Sequence, residues 1–242
     1  MELHIDRDAE GSALFRFDPR VKLVCIFALI VLVSMVTDAV ALAFALLFAV
    51  LLLAFSRVPP VQLARGYLAA LPFIALSSLT MLLASGPGSA MAMALRVSTS
   101  VLLLLLLVRT TPFMDLLWAL RWFKVPALLT DMIMLTYRFI FVLLEELERM
   151  RLARKARGFQ GGRSLLDRKA FQVLANTIGM VFLRSYRRAG QVYAALLSRG
   201  YDGKARTIAT YRVGGRDLAL GIAFVITGVW TLALQMGWYA WP

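Results

Sequence analysis

Ala39-Val-Ala-Leu-Ala-Phe-Ala-Leu-Leu-Phe-Ala-Val-Leu-Leu-Leu-Ala-Phe55 contains no polar side chain. A hydrocarbon core of about 30 Å takes roughly 20 apolar residues of helix to cross, and this run approaches that length without a charge. It has neighbours of the same kind on both sides. Upstream, about Pro19–Val36 opens after Asp18-Pro19, where Asp can cap a helix and Pro suits its first turn, with Lys22 near enough to the end to snorkel. Only Thr37-Asp38 separates the two runs. Downstream, about Tyr67–Ala84 ends at the turn-forming Ser85-Gly-Pro-Gly-Ser89, and Ala90–Val108 carries Arg96 near its start. Leu218–Trp238 has Trp238, Tyr239 and Trp241 at its far end, where aromatic rings favour a membrane interface. The pattern predicts an all-α integral membrane protein with about five transmembrane helices.

Composition agrees. The 242-residue chain is 60% hydrophobic and 17% charged, against about 45–50% and about 25% for a soluble domain, and its mean hydropathy is +0.75. The single Cys25 and the single His4 exclude an intramolecular disulfide and a Cys/His cluster for a transition metal, so no cofactor or metal site is expected in this chain and any associated metal is bound by another protein. The N-terminal Met1-Glu-Leu-His-Ile-Asp-Arg-Asp8 mixes charges and reads as a retained segment rather than a cleaved signal.

Charge sets the expected orientation. Of the 27 Lys+Arg and 14 Asp+Glu, 20 and 7 fall between Arg109 and Arg216, so the whole net charge of +13 resides there. With Arg109, Arg212 and Arg216 next to membrane ends, the positive-inside rule places this segment in the cytoplasm. Arg57 and Arg65 put the connection between the second and third spans on the same side, while Thr37-Asp38 and Gly86-Pro-Gly88 carry no base and face out. The expected organisation is a cytoplasmic N-terminal segment (1–18), a four-helix transmembrane region (19–108), coupling helices in the cytoplasm and at the membrane interface (109–216), and a final transmembrane helix (217–242) with the C-terminus outside, in the plasma (inner) membrane.

The basic segment has its own helical signals. Thr111-Pro112 starts a short helix, about Pro112–Phe123, and Pro126 opens a long one running to about Arg157. The first half of the long helix is apolar and its second half, from Glu145, is charged; about 31 residues reach about 46 Å. One end can sit at membrane depth while the other extends beyond it. After a turn at Gly158–Gly162, a second long helix spans about Leu165–Arg199, with an apolar stripe of Leu174, Ile178, Val181, Ser185, Ala189, Val192 and Leu196, and with Arg184, Arg187, Arg188 and Gln191 off that stripe, facing solvent, lipid phosphates or a partner.

The ends of the two long helices repeat one another. Ala156-Arg-Gly-Phe-Gln-Gly161 and Ser198-Arg-Gly-Tyr-Asp-Gly203 share the order small-Arg-Gly-aromatic-x-Gly. Glycine just past a helix can take the left-handed conformation that ends it, and Arg in the last turn complements the helix dipole, so each could be an ordinary helix stop. A guanidinium held at an exposed helix tip also suits a carboxylate on another protein, and the repetition favours that reading. Chemistry for catalysis is missing. No G-x-x-x-x-G-K-[ST] precedes Lys204, and there is no H-E-x-x-H, no G-x-S-x-G and no paired-Cys motif, so the chain is not expected to be an enzyme or to power transport itself. Arg96, Asp131 and Arg138 are the charges at membrane depth, with Arg96 expected to snorkel or pair within the bundle rather than contact a substrate. Methionines such as Met132, Met134, Met150 and Met180 read as packing rather than as soft-metal ligands.

The sequence resembles the transmembrane T component of energy-coupling factor transporters, most closely the CbiQ type, over nearly the whole chain. The resemblance rests on Phe17-Asp-Pro-Arg-Val-Lys22, on Leu135-Thr-Tyr-Arg-Phe139 with Leu144-Glu-Glu146, and on the two Arg-Gly tips. The family carries two Ala-Arg-Gly signatures at the ends of two crossing coupling helices; Ala156-Arg157-Gly158 matches in full, and Ser198-Arg199-Gly200 departs by Ser for Ala. The resemblance implies that each tip docks into one of two cytoplasmic ABC-type ATPase subunits. It also implies that the rest of the chain holds a small membrane substrate-binding subunit of CbiM/CbiN kind, with membrane lipid around it and no nucleic acid. By the same resemblance the cargo is cobalt ion, with nickel or a vitamin such as biotin as alternatives. A reading from a different class is a membrane anchor whose basic domain binds lipid or nucleic acid; it predicts equal sensitivity at scattered Lys and Arg, such as Arg163 and Lys204, rather than concentration at Arg157 and Arg199.

Overall fold

Helices account for all the regular structure among the residues that the computed structural model describes, which are 17–56, 58–158, 168–201 and 214–236. They are α1 (Pro19–Met35), α2 (Ala39–Phe55), α3 (Pro60–Ser85), α4 (Pro87–Thr110), α5 (Phe113–Trp122), α6 (Ala127–Ala156), α7 (Arg168–Ser198) and α8 (Gly215–Gln235). Local chemistry sets most of the ends. Asp18 caps α1, its Oδ1 accepting the Arg20 N–H at 2.9 Å, with Pro19 in the first turn. Gly86, at φ 92°, makes the tight break between α3 and α4 that side chains with a Cβ resist. The expected spans 39–55, 67–84 and 90–108 lie within these helices, the first ends one residue sooner at Met35, and the last runs past Gln235 to positions outside the described residues; α3 and α4 start earlier than hydropathy alone indicated, because Pro60 and Pro87 each open a first turn.

Helices α1–α5 and α8 form one compact unit, and α6 and α7 belong to a second. The bundle core is built from Ile26, Leu29 and Val33 of α1, Leu42, Ala45 and Ala49 of α2, Leu103 and Leu106 of α4, and Phe224 of α8. Alanines at 41, 45 and 49 put small side chains on one face of α2, which lets its neighbours approach closely, as helices do where lipid rather than water is the alternative. Gly66 does the same for α3: a Cβ there would stand 2.8 Å from Leu105 Cδ2 of α4. The outward faces stay apolar. Leu47, Leu51, Leu68, Phe73, Leu76 and Leu83 are all exposed, an arrangement stable in hydrocarbon and not in water.

Several hydroxyls of the bundle bond a carbonyl of their own helix, whereas the buried hydroxyls of Ser56 and Thr111 have no partner among the described residues. Thr99, Ser100, Thr110 and Thr227 each donate to the carbonyl four residues back, and Ser77 and Ser78 to the carbonyl three back, just beyond the Pro72 interruption of α3. This is an all-α integral membrane protein. Among the described residues four helices are long and apolar enough to cross a membrane: 60–85, 87–110, 127–156 and 217–235. That set differs from the five expected runs. At 17 residues each, α1 and α2 measure about 25 Å, short of an average hydrocarbon core. Meanwhile α6 qualifies through its apolar first half.

Candidate functional site

At one end of the bundle three chain segments meet on two carboxylates and a lysine. Asp217, near the start of α8, is buried, and its two oxygens accept the backbone N–H of Gly214 and the backbone N–H of Asp18, each at 2.7 Å. A single carboxylate thus serves the N-termini of both α1 and α8, where the helix dipoles favour negative charge. One turn into α1, Lys22 is 3% exposed and donates from Nζ to the Thr110 carbonyl at the end of α4, 3.1 Å away. Lys22 therefore does not snorkel; it is turned inward, where Asp18, Asp115 and Asp217 surround it. The start of α1, the end of α4 and the start of α8 consequently lie on one side of the bundle. Helix α5 packs beside them, with Ala119 buried and the Arg20 guanidinium 4.0 Å above the Trp118 ring. Toward the opposite end, Arg96 donates to the Val36 carbonyl at 2.7 Å, which closes the C-terminus of α1 and gives Arg96 its place within the bundle.

In the second unit, α6 and α7 run antiparallel. Their contacts pair in reverse order: Arg154 donates to the Thr177 hydroxyl, Glu146 pairs with Arg184, and residues 135–142 share a groove with residues 188–199. The inward stripe of α7 is Val173, Thr177, Val181, Ser185, Val192 and Leu196. The expected Leu174 and Ile178 instead point outward, 56% and 61% exposed. The half of α6 opposite them is charged and offers Arg154, which is better met by the Thr177 hydroxyl than by a branched alkyl group. Two arginines expected off the stripe are also engaged here, Arg184 with Glu146 and Arg188 as a wall of the groove.

The two Arg-Gly tips each close on a left-handed glycine. After α7, the Gly200 N–H bonds the Leu197 carbonyl at 3.0 Å and the Tyr201 N–H bonds the Leu196 carbonyl at 3.0 Å, with Gly200 at φ 76°. This is the Schellman closure, which needs a residue free to enter the left-handed region. After α6, the Gly158 N–H bonds the Lys155 carbonyl at 3.1 Å with Gly158 at φ 83°. Nothing lies within 4 Å of where a Cβ would stand at either glycine, so glycine is required by the backbone turn and not by crowding. Arg157 and Arg199 each sit between the last helical residue and that glycine. Both are exposed, and neither guanidinium has a hydrogen-bond or ion-pair partner among the described residues.

Because the helices are antiparallel, the tips lie at opposite ends of the pair. Arg199 shares its groove with Leu135 and Arg138, about 20 residues and roughly 30 Å of helix from Arg157. Ala156 and Ser198 are the last helical residues on the two sides, and the Ser198 hydroxyl donates to the Ala194 carbonyl at 3.0 Å, so serine is accommodated where alanine occupies the other tip. Phe159, Gln160, Gly161, Asp202 and Gly203 of the repeat lie outside the described residues, as do Arg57, Arg163, Lys204, Arg212 and the aromatic end at Trp238, Tyr239 and Trp241.

Residues 10–210 match the family model CbiQ, described as cobalt transport protein. The chain belongs to the CbiQ family. Its relatives include the cobalt transport protein CbiQ of Rhodobacter capsulatus, 37% identical over 145 residues, or 60% of this chain and 57% of that protein. The cobalt transport protein CbiQ of Salmonella typhimurium is 36% identical over 97 residues, 40% of this chain and 41% of that one. An uncharacterised protein of Methanocaldococcus jannaschii is 36% identical over 104 residues, 43% of this chain and 37% of its own length. The matched stretches thus span 37–57% of these relatives. Both helix tips and the start of α1 fall within the CbiQ match, whereas Asp217 lies beyond it. Of that end cluster, the sequence suggested only the Asp18 cap; an Asp three residues after Gly214 was the available signal for the rest.

Proposed function

We propose that this CbiQ-family chain is the transmembrane energy-coupling subunit of an ATP-driven importer for cobalt ion. Two cytoplasmic ATPase subunits would each receive one Arg-Gly tip, Ala156-Arg157-Gly158 and Ser198-Arg199-Gly200, and a small membrane protein would hold the metal. The observation that carries the reading is the matched pair of helix ends. Each presents an exposed arginine beside a left-handed glycine, and the Glu146–Arg184 ion pair joins the charged half of α6 to α7. A guanidinium at a fixed helix end can be clamped by carboxylates in a groove, and moving two such ends relative to one another loads the antiparallel pair as a lever. That the named CbiQ relatives are cobalt transport proteins supports cobalt as the cargo.

The test is charge reversal at the tips. Arg157→Glu and Arg199→Glu, made singly, are expected to abolish co-purification with Walker-motif ATPases from native membranes and to stop cobalt accumulation, while Arg163→Glu and Lys204→Glu leave both within about twofold. Equal losses at all four positions would favour diffuse binding to an anionic surface and would defeat the coupling role.

A further inference from the structure

Between α6 and α7, beside the Arg199 tip, lies an open groove of about 320 Å3, at the small end of the roughly 300–1,000 Å3 usual for ligand sites. Its apolar walls include Phe139 and Val142 of α6 and Val192 of α7. Three arginines, Arg138, Arg188 and Arg199, complete the lining, and no Asp or Glu belongs to it. Arg138 shares a helix face with Val142, and Arg188 with Val192, four residues apart in each case, so both cations stand on the stripes that turn toward each other. All three arginines are exposed, and among the described residues none has a hydrogen-bond or ion-pair partner. Their neighbours differ: Arg149 pairs with Glu145, Arg151 with Glu148, Arg184 with Glu146, and Arg154 bonds Thr177. The groove also marks a change along α6. Leu128, Met132, Ile133 and Ile140, before or within its level, are exposed and apolar, and the acidic run starts just beyond it at Glu145.

An apolar slot edged by three unmatched guanidiniums suits neither a hydrophilic solute, which would leave the slot wet, nor an apolar helix, which would bury the cations. It suits a molecule with an anionic head and a hydrocarbon tail, taken up where a helix passes from apolar to charged. The structure assigns this groove to an anionic phospholipid of the surrounding membrane, one acyl chain lying against Phe139, Val142 and Val192 and the phosphate held between Arg138 and Arg188, beside the Arg199 tip. Arginine fits both parts, since its stem covers apolar surface while its planar fork bonds phosphate oxygens.

The test uses the purified full-length chain in neutral detergent and native mass spectrometry, with dioctanoyl phosphatidylglycerol as probe and dioctanoyl phosphatidylcholine and glycerol phosphate as comparators. One phosphatidylglycerol is expected to stay bound with at least tenfold preference over phosphatidylcholine, and glycerol phosphate not at all. The double variant Arg138→Gln/Arg188→Gln should weaken binding by about 25-fold, at about fivefold per basic residue facing anionic lipid. Arg149→Gln/Arg151→Gln, the same change in charge, should weaken it less than twofold. Val192→Trp fills the slot while keeping every arginine, and should also abolish retention; if it fails to fold, the two double variants decide. Equal loss in the two double variants, equal retention of the two lipids, or binding of glycerol phosphate as strong as that of phosphatidylglycerol would each overturn the assignment. So would a photo-crosslinker at position 192 that captures protein and no lipid in native membranes. Arg199 is left intact throughout, so failure here leaves the coupling role untouched.

Discussion

Replacing Asp217 by alanine removes the acceptor for two backbone N–H groups at once, Asp18 N–H and Gly214 N–H, each bonded at 2.7 Å. The buried Asp18 N–H left without a partner costs about 1–3 kcal/mol and the bond lost at the exposed Gly214 about 0.5–1.5 kcal/mol, and loss of a negative charge at two helix N-termini adds about 0.3–1 kcal/mol for each. The expected destabilisation is about 2–6.5 kcal/mol. Asp217→Asn keeps one carbonyl oxygen and therefore one of the two bonds, so it should lose roughly half as much. In a chain of this size about 1 kcal/mol moves the melting temperature by about 2–4 °C, which makes the alanine variant melt on the order of 10 °C early. Fluorescence-detected size exclusion of the tagged chain after graded heating in mild detergent reads this directly, with Glu148→Gln, an exposed pair member, as control. If Asp217→Ala melts within a degree or two of the native chain, or if Glu148→Gln costs as much, then Asp217 does not hold α1 and α8 together.

Gly158→Ala and Gly200→Ala should each cost about 1–2 kcal/mol through the left-handed backbone alone, since no atom crowds either site, and asparagine should cost less; hydrogen exchange at the Tyr201 amide would report the loosened closure, and equal behaviour of Ala and Asn would count against it. Arg96→Met leaves the Val36 carbonyl without its side-chain donor and is expected to lower thermal stability by about 1–3 kcal/mol, whereas Arg96→Lys retains part of the bond. At Gly66 alanine should be mild, because the atom it meets is the end of the Leu105 side chain, but Gly66→Phe should separate α3 from α4 and melt far earlier. Cysteines replacing Pro87 and Gln160 are expected to react with impermeant reagent from opposite membrane faces, position 160 from the cytoplasm; labelling from one face would reverse the charge-based topology.

The parts of the fold legible in the sequence were those governed by local chemistry. The Asp18-Pro19 start, the Gly86 break and the two glycine stops each depend on a residue's own backbone preference, and each appears where expected. Apolar runs likewise located the helices. Less legible was what depends on a partner distant along the chain. Lys22 reads as a snorkelling lysine until the Thr110 carbonyl is brought beside it, and Asp217 reads as one more acidic residue until Asp18 arrives from 199 positions away. On α7 the apolar spacing admitted two neighbouring stripes, 173–177 and 174–178, and only the charged half of α6 decided between them. The antiparallel sense of α6 and α7, which sets the tips at opposite ends, follows from which side chains meet and leaves no trace in spacing.

The shared carboxylate of Asp217 and the Lys22 bond to Thr110 also bear on how such a chain can be altered. The point at which the polypeptide leaves the bundle, just past Trp122, whose ring lies 5.8 Å from the Arg20 guanidinium, and the point at which it returns, at Gly214, whose N–H shares the Asp217 carboxylate with that of Asp18, both lie at the first turn of α1. Everything between is in effect a cassette whose two ends share one doorway. A cassette with adjacent ends can be exchanged, shortened or lengthened with little demand on the frame that carries it, because the closure is already made. Transplanting residues 124–213 from another CbiQ chain into this bundle should therefore give a folded hybrid whose choice of cytoplasmic partner travels with the insert, while its melting behaviour stays with the host.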